Sequence, residues 1–299
     1  METWSVSVGR GFGFGIGLMA AVALVNAALI GMTASQPISL GTFIAGVAAL
    51  AGFLLVGLIA YWVYGLAGAS YLLDRNQLVI RWGPSRQVIP MSEVEGVLTG
   101  DQVDGTVRFY GGRWPGHWVG FGEISGLGQA LFYATVPPQA QILIATPGLI
   151  YGISPSDRAE FLRSFHKRLQ MGPTQRVEQS SQRLSVLDWP IWKDWLGLAL
   201  LGAATLALAG LLATVCFRFP ALPLLVPLHF GPTGSPDRLG PRGDLFLLPL
   251  IGLSALVLNG ALGSALYGRD RVASYLLWGG AILVQLLVWT ATLGVLGRL

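Results

Sequence analysis

The chain has 299 residues, of which 53% are apolar and only 11% charged, with a formal net charge of +4. A soluble domain carries about 25% charge, so much of this chain faces lipid, and a wholly water-soluble protein is excluded. The single cysteine, Cys216, excludes an intrachain disulfide and a cysteine metal cluster.

No Asp, Glu, Lys or Arg occurs from Gly11 to Leu73. Burying one charge at a bilayer centre costs roughly 2.5–3.5 kcal/mol on insertion scales, and a spanning helix needs about 20 apolar residues. The run is too long for one span. Thr33-Ala-Ser-Gln36-Pro37 is a polar turn with a helix-stopping proline, so two spans are predicted, 11–32 and 38–66. Only Arg10 precedes the first run and Glu2 offsets it, so a cleavable signal peptide is not expected. Gly9, Gly13 and Gly17 recur every fourth residue, a face on which two helices approach closely, and a homo-oligomer through it is expected.

From Ala69 the period changes. Short β-prone runs at 71–73, 78–82, 87–89, 94–98, 106–110, 130–136, 142–145 and 149–153 are separated by Gly, Pro, Asn and Asp turns, the pattern of a sandwich or barrel. A helix follows, with Ser154 as its cap, Pro155 in its first turn and Ala159, Phe161, Leu162, Phe165 and Leu169 on one face. Gly172-Pro173 ends it. The charges between Asp74 and Asp188 are eleven basic and ten acidic, interleaved, so no basic stripe for nucleic acid is present.

These stretches resemble a known family. Leu78-Val-Ile-Arg-Trp-Gly83, Val88-Ile-Pro90 leading to Val94, Gly111-Gly-Arg-Trp-Pro-Gly116 and Tyr151-Gly-Ile-Ser-Pro155 before the helix look like bacterial domains of the pleckstrin-homology (PH) type found beside membrane spans. The resemblance covers about 71–170. It implies an all-β barrel capped by one C-terminal helix, a scaffold that binds peptides, lipids or neighbouring subunits, and no inherited catalytic residue. The soluble domain is therefore set at 67–172, with a linker at 173–192.

Within that domain the glycine-rich tract 111–128 stands out, carrying Arg113, Trp114, His117 and Trp118. Two readings remain: an aromatic loop that docks on the membrane or a partner, or tight hairpins whose Trp side chains cover the end of the barrel. Gly120-Phe-Gly122-Glu-Ile-Ser-Gly126 lacks the spacing and following helix of a dinucleotide site.

Three uncharged runs follow the linker, giving predicted spans at 195–217, 245–267 and 272–297 and a total of five. The fold class expected is thus a five-span α-helical membrane protein with an inserted PH-like β domain. Arg10, Arg75, Arg183, Lys193, Arg269 and Arg271 lie at span ends on the domain's side, against Arg218, Arg238, Arg242 and Arg298 on the other. The bias places the domain and the N-terminus in the cytoplasm and the protein in the inner (plasma) membrane. Asn26, Asn259 and Gln285 are the strongly polar side chains deep in spans; amides bond helices together but carry no protons, which argues against an ion-coupled pump.

The loop 218–244 holds six prolines, a density expected to exclude helix and regular strand. Pro227, His229, Gly234 and Asp237 resemble a short membrane module of unknown function also found at the front of sporulation-delaying-protein-type immunity proteins; the resemblance runs from about Pro223 into the fourth span. His229, Gly234, Asp237 and Arg238 are the candidate contacts here. His229 and Asp237 have the chemistry to orient a base or begin a metal site, but a metal wants three or four ligands. No cofactor, metal or catalytic residue is expected.

The functional expectation is a non-enzymatic membrane protein that binds a protein or lipid partner through its PH-like domain. The alternatives are a membrane enzyme or transport component using His229 and Asp237, and an immunity protein against a membrane-active peptide. Expected partners are the bilayer and a membrane or cytoplasmic protein.

Overall fold

In the computed structural model the described residues are 1–103, 106–182, 190–230 and 236–298. They divide into two compact units, 1–25 with 52–186 and 26–51 with 187–299. Among the described residues, five helices are long and apolar enough to cross a membrane. The protein is a multi-pass membrane protein, since only internally bonded helices satisfy the backbone of such runs in hydrocarbon.

The chain opens with strand β1 (Glu2–Ser5), then α1 (Gly9–Ala34) and α2 (Leu40–Ala67). Ser39 and Thr42 begin α2 reciprocally: the Ser39 hydroxyl accepts from the Thr42 N–H at 3.3 Å, and the Thr42 hydroxyl from the Ser39 N–H at 2.8 Å. Strands β2 (Ser70–Leu73), β3 (Gln77–Trp82), β4 (Ser85–Pro90), β5 (Gly96–Thr99), β6 (Val107–Trp114), β7 (His117–Ile124), β8 (Gly128–Ala134), β9 (Ile142–Thr146) and β10 (Leu149–Ile153) follow. Helix α3 (Arg158–Met171) and strand β11 (Ser180–Gln182) complete the unit.

Among the described residues these strands form two open sheets, β1-β2-β3-β4-β11 and β5-β9-β10-β8-β7-β6, and no closed barrel. The ladder is interrupted where β4 ends at Pro90 and a short 3-10 turn, Met91–Glu93, carries the chain to the second sheet. Leu73, Leu78, Ile80, Ile89, Leu131, Ile144 and Ile153 fill the core, and Phe161 and Phe165 of α3 close it. On the other face of the six-stranded sheet Phe132 lies against Gly152, which faces it without a side chain; a Cβ there would come 2.6 Å from the ring.

Three local expectations change. Strand β1 is absent from the sequence reading, yet it pairs with β2 from Glu2↔Leu73 to Ser5↔Ser70. The tract read as linker contributes β11, which pairs with β4. The cap of α3 is Asp157, whose carboxylate accepts from the Glu160 N–H at 2.8 Å; Ser154 is buried and its hydroxyl accepts from the Thr135 N–H instead.

The second unit takes the 26–51 portions of α1 and α2 and contains α4 (Trp195–Arg218), strands β12 (Leu225–Phe230) and β13 (Pro236–Pro241), α5 (Leu247–Leu266) and α6 (Arg271–Leu296). Small residues let these helices approach. Gln285 donates to the Gly252 carbonyl at 2.7 Å, Ser274 to that of Gly263 at 2.8 Å, and the Trp289 indole to that of Ala207 at 2.8 Å. The loop expected to lack strands forms the β12–β13 ribbon. Its prolines are tolerated because Pro236 and Pro241 sit at strand ends and the register shifts after Pro227, where a missing N–H costs the ladder least.

Candidate functional site

The β6–β7 hairpin is seated on α1 and α2. Gly116, in its turn at φ +84°, meets Gly11 of α1 backbone to backbone. The β3–β4 turn repeats the device: Gly83, at φ +56°, meets Gly65 of α2. Only glycine allows both the positive φ and the close approach. The Trp114 indole N–H donates to the Gly11 carbonyl at 3.0 Å, and its ring packs with Ile59, Val63, Met19 and Val22.

His117 pairs with Trp114 across the hairpin. The two rings stack at 4.2 Å and 15°, and Trp62 and Trp82 stand 6.3 and 6.1 Å from the imidazole. The imidazole is fully buried, and neither ring nitrogen has a hydrogen-bond partner. Burial lowers its pKa from 6.5 to about 4, because the charged form loses its hydration without a counter-charge. It is a neutral packing group at ordinary pH. Arg113 is exposed and Trp118 half-buried; Trp118 stacks edge-on against Phe109 at 5.3 Å. Of the four candidates in this tract, the structure brings Trp114 and His117 together and points Arg113 elsewhere.

A polar cleft of about 390 Å3 lies beside α3, lined by Glu2, Asp74, Arg75, Ser164, Lys167, Arg168 and Met171. Arg75 donates to the carbonyls of Gly172 and Met171 at 2.8 and 2.9 Å, closing the helix C-terminus. Arg168 pairs with Glu2 at 2.6 Å. Lys167 and Met171 are exposed at its rim.

A second cluster, missed by the sequence reading, centres on Asp194. One carboxylate oxygen caps α4, accepting from the N–H groups of Leu196 and Gly197. The other accepts from the hydroxyls of Tyr275 at 2.5 Å and Tyr267 at 2.8 Å. The Tyr275 hydroxyl, with Tyr267 and the two backbone donors, holds the Asp194 carboxyl below its ordinary value. An Asp directly before the apolar run at Trp195 is a helix-start signal; the two tyrosines, 73 and 81 residues away, carry none.

In the β12–β13 ribbon, His229 and Arg238 are backbone partners, and Asp237 and Arg238 are exposed. Gly234 lies outside the described residues. Arg242 holds the ribbon's base: its guanidinium lies 4.7 Å over the Phe219 ring and faces the carbonyls of Phe219 and Leu222. Val226 is fully buried among Val215, Leu222, Leu245 and Val295.

Neither the comparison with curated proteins nor that with solved structures gave a match. Two family models match parts of the chain. Residues 205–253, from within α4 through the ribbon into α5, match the model described as Domain of unknown function (DUF1648), and residues 69–169, strands β2–β10 with α3, match the model described as Bacterial PH domain.

Proposed function

We propose that this chain is a non-enzymatic membrane protein whose PH-type domain, on the cytoplasmic side of the inner membrane, captures a protein or lipid partner and holds it at the bilayer for sensing, scaffolding or assembly. One observation carries the reading: domain and membrane helices are joined at four points rather than by a tether. Strand β1 runs into α1, β2 emerges from α2, and the Gly116–Gly11 and Gly83–Gly65 contacts clamp two hairpins onto those helices. A ligand that shifts the domain therefore shifts α1 and α2 with it. The cytoplasmic placement is supported by the excess of arginine and lysine at the span ends flanking the domain.

The cleft beside α3 is the proposed contact, because it combines an exposed cation, Lys167, with an exposed apolar side chain, Met171. The test is crosslinking in native membranes followed by recovery of the full chain. Lys167→Glu together with Met171→Asp is expected to deplete the co-recovered partner while the amount of chain in the membrane stays constant. Undiminished recovery would reject this cleft.

A further inference from the structure

The β6–β7 ribbon has two faces, and directly paired residues share one. Trp114/His117, Gly112/Val119, Tyr110/Phe121 and Arg108/Glu123 lie on the first face. Val107 and Phe109 lie on the other, packed into the second core with Phe132 and Ile124. Along the first face, Trp114 enters the groove between α1 and α2, and Gly112 lies under the Trp62 ring, where a Cβ would come 3.0 Å from it. Val119, opposite Gly112, packs on the main core.

One pair further on, about 7 Å along the strand, stand Tyr110 and Phe121, exposed at 67% and 54%. They therefore lie on the face that is laid against the membrane helices. Trp62 belongs to the Tyr61-Trp62-Tyr64 group near the end of α2, the level at which aromatic side chains meet lipid headgroups. Between α2 and α3, the large apolar side chains exposed among the described residues are Tyr110, Phe121 and Leu127, and all three belong to the β6–β7–β8 meander. An apolar patch on one edge of an otherwise polar surface marks a contact. Its continuity with residues already packed on spanning helices selects the occupant.

We propose that the β6–β7 ribbon rests on the bilayer beside α2, with Tyr110 and Phe121 inserted at the headgroup level of the leaflet where α2 ends. The ribbon thus gives the PH-type domain a lipid-contact surface, separate from the cleft beside α3. The proposal deepens the binding reading above by naming lipid as one partner of the domain, and it is tested by a different readout.

The experiment uses the full chain in nanodiscs of mixed phosphatidylcholine and phosphatidylglycerol. In a Cys216→Ser background, a nitroxide is attached at Tyr110→Cys or Phe121→Cys, with Leu58→Cys on α2 as the lipid reference and Arg163→Cys on α3 as the water reference. Power saturation is expected to show both ribbon labels reached by oxygen and shielded from an aqueous nickel chelate, as at Leu58. Chelate access equal to that at Arg163 would overturn the proposal. Shielding that appears only after a crosslinked protein partner is present would overturn it too, in favour of a protein contact. Either failure leaves the Lys167 and Met171 recovery experiment standing.

Discussion

The Trp114 indole donates to the backbone carbonyl of Gly11 across 103 residues of sequence. That carbonyl belongs to the first turn of α1 and the indole to the end of β6, so one bond ties the domain to the helix. Trp114→Phe keeps a ring in the groove and removes the donor, with an expected cost of about 1 kcal/mol. Trp114→Ala empties the groove and is expected to cost about 3–5 kcal/mol. Thermal unfolding of the purified chain in mild detergent, followed by tryptophan fluorescence, measures both.

Gly116→Ala places a Cβ against the Gly11 backbone at a positive φ. Neither the turn backbone nor the helix backbone has a rotamer to yield. The expected result is loss of the hairpin's seat on α1 and a destabilisation of about 2 kcal/mol or more. Limited proteolysis should then cut the β6–β7 turn, which the native chain protects.

His117 sets an acid sensitivity. The unfolded chain takes up a proton near pH 6.5, whereas the folded imidazole resists until about pH 4. Its contribution to stability is therefore complete above about pH 6.5 and shrinks as pH falls toward 4, by roughly 3 kcal/mol across that window. His117→Phe removes the titration and both unpaired nitrogens, so its stability should change by less than about 1.5 kcal/mol at pH 7.5. Its midpoint should lose the part of the pH slope between 6.5 and 4 that the native chain shows.

Asp194 acts in a lower window. Its carboxyl is held below the ordinary value by the tyrosine hydroxyls and the α4 backbone. The stability it supplies is present above the unfolded-state value of about 4 and is lost as pH falls through the depressed folded value. Asp194→Asn is expected to lower the thermal midpoint at pH 7 and to flatten its dependence below pH 4. An unaltered acid slope would show that the clasp carries no charge-dependent stability.

Gln285 holds α6 to α5 through the Gly252 carbonyl. In Gly252→Leu the side chain would displace the amide, since even a Cβ there would stand 2.6 Å from the Gln285 oxygen. The expected cost is about 1–3 kcal/mol. Gln285→Leu leaves the packing largely filled and is expected to cost less, because hydrogen bonds between spans average about 0.6 kcal/mol. Unfolding in mixed micelles ranks the two.

Helices α1 and α2 were legible because an uncharged run of that length has no other stable form in hydrocarbon, and the turn at Pro37 divides it. The strands from Tyr71 to Ile153 were largely legible from alternation and turn residues. Strand β7 was not, because Gly120 and Gly122 interrupt its pattern where neighbouring strands and Phe132 crowd them. Trp114 and His117 were legible as unusual residues, but not the burial of Trp114 between two helices some fifty to a hundred positions away, nor the two tryptophans, Trp62 and Trp82, that surround His117.

Charge placement along the chain determined which segments are apolar enough to leave water, since the cost of burying a charge is paid residue by residue. Tertiary structure alone decided that Glu2–Ser5 closes a sheet edge by pairing with Ser70–Leu73, that a glycine turn seats on Gly11, and that Asp194 meets Tyr267 and Tyr275. Those relations depend on two surfaces arriving together, and the free energy that fixes them belongs to the pair of surfaces and to neither segment by itself.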